Sequence, residues 1–238
     1  MFILALDTCD ARGGVALLRD ESLLQAEVHA TAEDYSSWLL PAINKVLAPA
    51  SLTLRDIELY AVAAGPGSFT GVRVGLTTVK AWSEVYGRPI AAVSRLEAVA
   101  SDSTGSAPYV AAFIDARRNQ IFAALYRRQP KGLERLDEEM VIDPGKFLDW
   151  CIDKAGSEKI DWVSLDAECM TKGQEWSARL SSAADIQGIS PLLAPRIGKI
   201  GYRLAQQGRL TDALSLDANY VRRSDAELFW KGARQHAK

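Results

Sequence analysis

Two stretches of the chain, about a hundred residues apart, carry one pattern: an apolar strand that ends in aspartate, a turn, and a returning strand. The first runs over residues 2–6 to Asp7 and returns over 15–18. The second runs over 109–114 to Asp115 and returns over 120–126. Such self-similarity suggests a duplicated fold. The Ser, Gly and Asp-rich stretch 101–108 is the natural boundary between an N-terminal half, 1–104, and a C-terminal half, 105–238, whose last segment has room to pack back on the first.

The remaining pattern fits α/β halves. A third strand over 23–28 completes an opening meander. Thr31-Ala32-Glu33-Asp34 looks like a capping box, followed by Tyr35, Trp38, Leu39, Ile43, Val46 and Leu47 at helical spacing, with Pro41 expected to kink the helix. A buried strand over 57–64 ends at Gly65-Pro66-Gly67, a helix spans 70–86 before Gly87 and Pro89, a strand follows at 90–93, and Ser94 opens a short helix to Ala100. Further on, strands are expected at 135–142 and 160–165, and helices at 146–154 and 195–207.

Composition narrows the function classes. The 238 residues are 48% hydrophobic and 24% charged, as in a globular chain, and the formal charge of −2 gives no global reason to bind nucleic acid. Cys9, Cys151 and Cys169 show no paired spacing, which argues against a disulfide framework or zinc knuckle. No run approaches the ~18 apolar residues of a membrane span, and no signal segment opens the chain, so a cytoplasmic protein is expected. His29 and His236 are the only histidines and are expected in solvent; no His-Glu-x-x-His exists for a zinc peptidase.

The loop Gly65-Pro66-Gly67-Ser68-Phe69-Thr70-Gly71-Val72-Arg73 joins a buried strand to a helix. Its glycines and helix N-terminus suit either an anion site or a tight turn with Ser68 or Thr70 as cap. It is neither a Walker A loop nor a dinucleotide fingerprint. On the following helix, Val72, Leu76, Val79 and Tyr86 share one face, while Val74, Thr78, Ala81 and Val85 lie on nearly the opposite one. Two stripes mean deep burial or a partner.

The loop is similar to the Gly-Pro-Gly-Ser-Phe-Thr-Gly signature of the TsaB (YeaZ) family. The match continues through Arg73-Val74-Gly75-Leu76, Pro89, Ser94-Arg95-Leu96-Glu97, Asp115-Ala116-Arg117-Arg118, and the tail Asn219-Tyr220-Val221-Arg222 with Ala226-Glu227. The resemblance implies an α/β, actin-like (ribonuclease H-like) fold of two related halves. It implies a non-catalytic subunit supporting a TsaD-like enzyme in transfer of threonylcarbamoyl to the N6 of the adenosine beside the tRNA anticodon. A TsaE-like ATPase joins the assembly, tRNA is met through the complex, and a homodimer forms when the chain is alone. The partner interface then falls on Tyr35, Trp38, Leu39, Val74, Thr78, Ala81 and Val85.

In actin-like ATPases the strand-Asp-turn units hold phosphates and metal, so Asp7, Thr8, Asp115 and Arg117 mark a vestige of the nucleotide site; as plain structure, such aspartates satisfy turn N–H groups. Catalytic TsaD-type relatives carry a His-x-x-x-His metal pair where this chain has Arg95 and Val99, and neither is an imidazole. The run 163–167 lacks the glycines of an adenine-binding turn. No metal and no autonomously bound cofactor are expected, with ATP or ADP placed at the complex interface. The rival readings are a free-standing actin-like ATPase or kinase and, more remotely, a peptidase.

Overall fold

The computed structural model describes residues 1–29, 33–130, 132–171 and 186–221. In it the sequence repeat becomes two β-sheets. Strands β1 (Phe2–Asp7), β2 (Gly14–Arg19) and β3 (Ser22–Val28) form an antiparallel meander, and β4 (Leu59–Ala63) and β5 (Ile90–Val93) add in parallel on the other side, giving the order β3-β2-β1-β4-β5. In the second sheet β6 (Tyr109–Asp115), β7 (Ile121–Gln129) and β8 (Gly132–Arg135) repeat the meander. There β10 (Ile160–Ser164) and β11 (Ile186–Gly188) repeat the parallel pair, while β9 (Met140–Ile142) pairs with β7. Read from the meander end, both sheets run third, second, first strand and then two parallel crossovers. This doubled topology is an actin-like, ribonuclease H-like α/β fold.

Helices α1 (Tyr35–Leu47) and α2 (Phe69–Tyr86) cover one face of the first sheet; α3 (Arg95–Ala100) packs on β6, β7 and β10 of the second. Helix α4 (Pro144–Ala155) brings Phe147, Leu148 and Cys151 into a core with Phe113 and Trp162, and α5 (Glu168–Thr171) follows β10. Helix α6 (Ala194–Gln206) crosses back to the first sheet. Gly75 of α2 meets Val62, while Gly201 of α6 meets Ala61 and Ala91; neighbouring strand residues point to opposite faces, so the two helices lie on opposite sides. With both faces covered, Ile3, Leu4, Ala5 and Leu6 are all buried, which is why β1 reads as an unbroken apolar run.

Two expectations change. Helix α1 starts at Tyr35, not at residue 31: its N-cap is Asp34, without a side-chain cap, and the proposed capping box lies partly outside the described residues. Ser37 and Trp38 N–H both turn to the Asp34 carbonyl, and the Glu33 carbonyl faces the His29 ring instead. Pro41 sits on the exposed side and the helix continues through it. The single strand expected over 135–142 is two strands separated by 136–139, because Glu139 turns inward there to meet Ser94 and Asn219. Cys9 and Cys151 are buried free thiols.

Candidate functional sites: a charged cleft and an apolar groove

A cleft of about 750 Å³ opens between the two sheets, lined by the β1–β2 turn, the start of α2, the β6–β7 turn, Asp166 and residues 219–221. Asp7 ends β1 and is fully buried; its Oδ1 accepts from Cys9 N at 2.9 Å and its Oδ2 meets Arg95 Nε at 3.1 Å. Asp115 ends β6 in the same way, accepting from Arg117 N at 2.7 Å. Both strand-end aspartates thus satisfy the N–H two residues on, as a local Asx turn does. They do not share a site: Asp115 and Arg117 line the cleft, whereas Asp7 lies behind Arg95.

Arg95 is the centre of this floor, although only 1% of it is exposed. Besides Asp7, it holds Asp10, with Nη2 2.9 Å from Oδ2 in ion-pair contact but without hydrogen-bond alignment. Burial opposes ionisation of Asp10, but the Arg95 charge and the Arg12 N–H hold its carboxyl down to about 2. Burial and the Asp7 charge push the Cys9 thiol well up, so it is a packed, inert thiol. Among the described residues no group of three or more His, Cys, Asp or Glu side chains gathers as a metal site.

The signature loop is used mainly for packing. Ser68 is the N-cap of α2, accepting from Gly71 N, and its own N–H donates to Cys9 O at 2.6 Å. Thr70 does not cap. Thr8 Oγ1 donates to Gly71 O at 2.6 Å, and a Cβ on Gly71 would lie 2.1 Å from Thr8 O, so only glycine lets the helix sit on the end of β1. Gly65 has φ 112°, and the Gly65-Pro66 peptide is cis. The tail motif comes to the same place: Asn219 N donates to Ala64 O, Arg73 Nε donates to the Tyr220 hydroxyl at 2.9 Å, and Arg73 stacks 3.6 Å from the centre of the Phe69 ring. Phe69 and Tyr220 rings stand 5.1 Å apart at the cleft rim. Two motifs far apart in sequence are one structural unit.

A second cavity, a groove of about 320 Å³, runs between α1 and α2. It gathers Tyr35, Leu39, Val74, Thr78 and Ala81 of the expected interface, along with Ser36, Leu40, Thr77 and Trp82, which the sequence reading missed. Leu40 is 55% exposed, next to Pro41, and that pairing of an outward leucine with a helix-interior proline was the available signal. Val85 lies beyond the groove and is 73% exposed; Ala81 is exposed too. The second stripe of α2 is therefore not buried within the chain. Trp38 is the exception, buried with its ring edge-on to His29 and Tyr35.

His29 is not in solvent as expected. It is 4% exposed, stacks on Tyr35 at 4.3 Å, and places its ring nitrogens 2.8 Å from Ala11 O and 2.7 Å from Glu33 O. Arg117-Arg118 sit at the cleft, whereas Arg128 pairs with Asp161 at the far end of β7, and 222–223, 226–227 and His236 lie outside the described residues. In the run 163–167, Asp166 reaches Arg12 across the cleft at 2.9 Å.

A family model described as TsaD, tRNA N6-adenosine threonylcarbamoyltransferase, matches residues 22–187. The Escherichia coli protein described as tRNA threonylcarbamoyladenosine biosynthesis protein TsaB is 33% identical over 181 residues, 75% of this chain and 73% of its own. The chain belongs to the TsaB family, within the wider group that the TsaD model describes. The Bacillus subtilis TsaB is 28% identical over 97% of this chain and 98% of its own length, so the likeness spans both halves. A Pseudomonas aeruginosa crystal structure, described as an uncharacterized protein with similarity to peptidase YEAZ, superposes with a TM-score of 0.76 at 25% identity, over 93% of this chain and 99% of that one.

Proposed function

We propose that this TsaB-family chain is a cytoplasmic, non-catalytic subunit that docks a TsaD-like enzyme. In that assembly it supports transfer of threonylcarbamoyl to N6 of the adenosine beside the tRNA anticodon. The observation that carries the reading is the groove between α1 and α2 with its solvent-exposed stripe, Ala81 and Val85, since an apolar helix face left open to water favours a covering partner. The buried Arg95 supports the non-catalytic part: a guanidinium, which cannot ligate a metal, is fixed against Asp7 and Asp10 where catalytic relatives are expected to carry a metal-binding histidine. A TsaE-like ATPase and tRNA join through the complex, ATP or ADP at its interface, and the same groove pairs two copies when the chain is alone. The free-standing ATPase reading has no comparable support.

The test is light scattering after size-exclusion chromatography of the chain alone and mixed with the TsaD-like protein of the same organism, followed by a transfer assay on tRNA. A heterodimer, with transfer dependent on both chains, is expected. If the chain neither binds that protein nor stimulates transfer, the reading fails.

A further inference from the structure

The cleft contains a line of alternating charges that crosses from one half to the other. Asp7 Oδ2 meets Arg95 Nε at 3.1 Å, Arg95 Nη2 meets Asp10 Oδ2 at 2.9 Å, Asp10 Oδ2 meets Arg12 Nη2 at 2.9 Å, and Arg12 Nη1 meets Asp166 Oδ1 at 2.9 Å. Asp166 in turn accepts from Asp115 N at 2.9 Å through Oδ2, and Arg12 also reaches Leu165 O. The Asp7–Arg95 link is buried, but the crossing is not: the Arg12 side chain is 41% and that of Asp166 18% exposed. Ion pairs this open to water stabilise little, so the Arg12–Asp166 contact is a latch that a small bias can open or hold.

The turn bearing Arg12 is held from the groove side. The Tyr35 hydroxyl donates to Asp10 O at 2.6 Å and accepts from Gly13 N at 2.8 Å. A Cβ on Gly13 would lie 2.2 Å from that hydroxyl, so the turn fits Tyr35 only as built. The same Tyr35 ring lines the groove. One side chain therefore lines the groove and holds the turn that lines the cleft.

We propose that Tyr35 couples docking in the groove to closure of the cleft, so that a partner seated on α1 and α2 holds the Arg12–Asp166 latch shut. The inference rests on the docking reading above and assigns its regulation, through Tyr35, to Arg12 and Asp166, which do not line the groove. Because linkage is reciprocal, loss of the latch weakens docking.

The experiment uses the full chain with Arg12→Ala, the exchange Arg12→Asp with Asp166→Arg, and Tyr35→Phe, which keeps the ring and removes the hydroxyl. Calorimetric titration against the TsaD-like protein is expected to give about threefold to tenfold weaker binding for Arg12→Ala and Tyr35→Phe, with recovery in the charge exchange. Amide hydrogen exchange of the chain alone is expected to speed up at residues 10–13 in all but the wild type and the charge exchange, and at 35–38 in Arg12→Ala. Wild-type affinity together with unchanged exchange at 35–38 in Arg12→Ala overturns the coupling. Should the wild type itself not bind the partner, the docking reading falls, while the exchange at 35–38 still decides whether latch and helix move together.

Discussion

Arg95 has almost no surface in water, and its charge is fixed by two carboxylates, Asp7 and Asp10. Removing one member of such a pair leaves the other charged and buried. Arg95→Met should therefore cost about 3 to 5 kcal/mol in urea unfolding, while adding Asp7→Asn to it should recover part of the loss. Asp10 predicts a pH dependence. Its carboxyl is held at about 2 in the fold, below the ~3.9 of an unfolded chain, so its contribution is complete above about pH 5 and fades as pH falls toward 2. With partial exposure taken into account, that contribution is on the order of 1 to 2 kcal/mol, and Asp10→Asn should flatten the acid limb of a stability–pH curve by that much. At this scale the sequence tells what is local. The Asx turns of Asp7 and Asp115 follow from strand-end aspartates two residues before a free N–H. Arg95's contact with Asp7 spans 88 residues and leaves no periodic trace, and the burial of His29 depends on carbonyls of two separate loops.

Helix α2 has two apolar stripes with different fates. Gly71, Val72, Gly75, Leu76, Val79 and Ser83 are buried, whereas Ala81 and Val85 face water. Val85→Glu and Ala81→Glu should leave the melting temperature nearly unchanged, because exposed positions tolerate substitution within about 0.5 kcal/mol, and should abolish both self-association and heterodimer formation in light scattering. If both associations survive in both variants, this face is not the interface. Helical and strand periods, with Gly and Pro between them, made most elements of the first half readable. The second half resisted where elements are short: β11 and α5 have three and four residues, too few for a period. Glu139 also breaks the apparent strand over 135–142, since its buried carboxylate accepts from Asn219 Nδ2 at 2.5 Å and pairs with Arg135, contacts set by tertiary packing.

Across the molecule the doubled strand order was foreshadowed by the repeated strand-Asp-turn-strand unit, but the meeting of the signature loop with the tail at Asn219 and Tyr220 was not, because nothing in either segment names the other. The course of α6 has a further consequence. It closes the second face of the first sheet with glycines that let Leu18, Ala61 and Ala91 approach, yet it is assembled from residues 194–206. During synthesis β5 leaves the ribosome roughly 100 residues ahead of this helix, which at ~5–20 residues per second is a delay of about 5 to 20 s. Through that interval the N-terminal sheet is finished on one side and bare on the other. A chain cut after residue 190 should accordingly partition into the insoluble fraction, and co-expression of the segment 186–238 should return it to the supernatant; a soluble, cooperatively melting 1–190 fragment would mean that the first half completes its core alone. Birth order and packing order run opposite ways in this chain, so its nascent form is a natural client for holding chaperones until its last fifth has emerged.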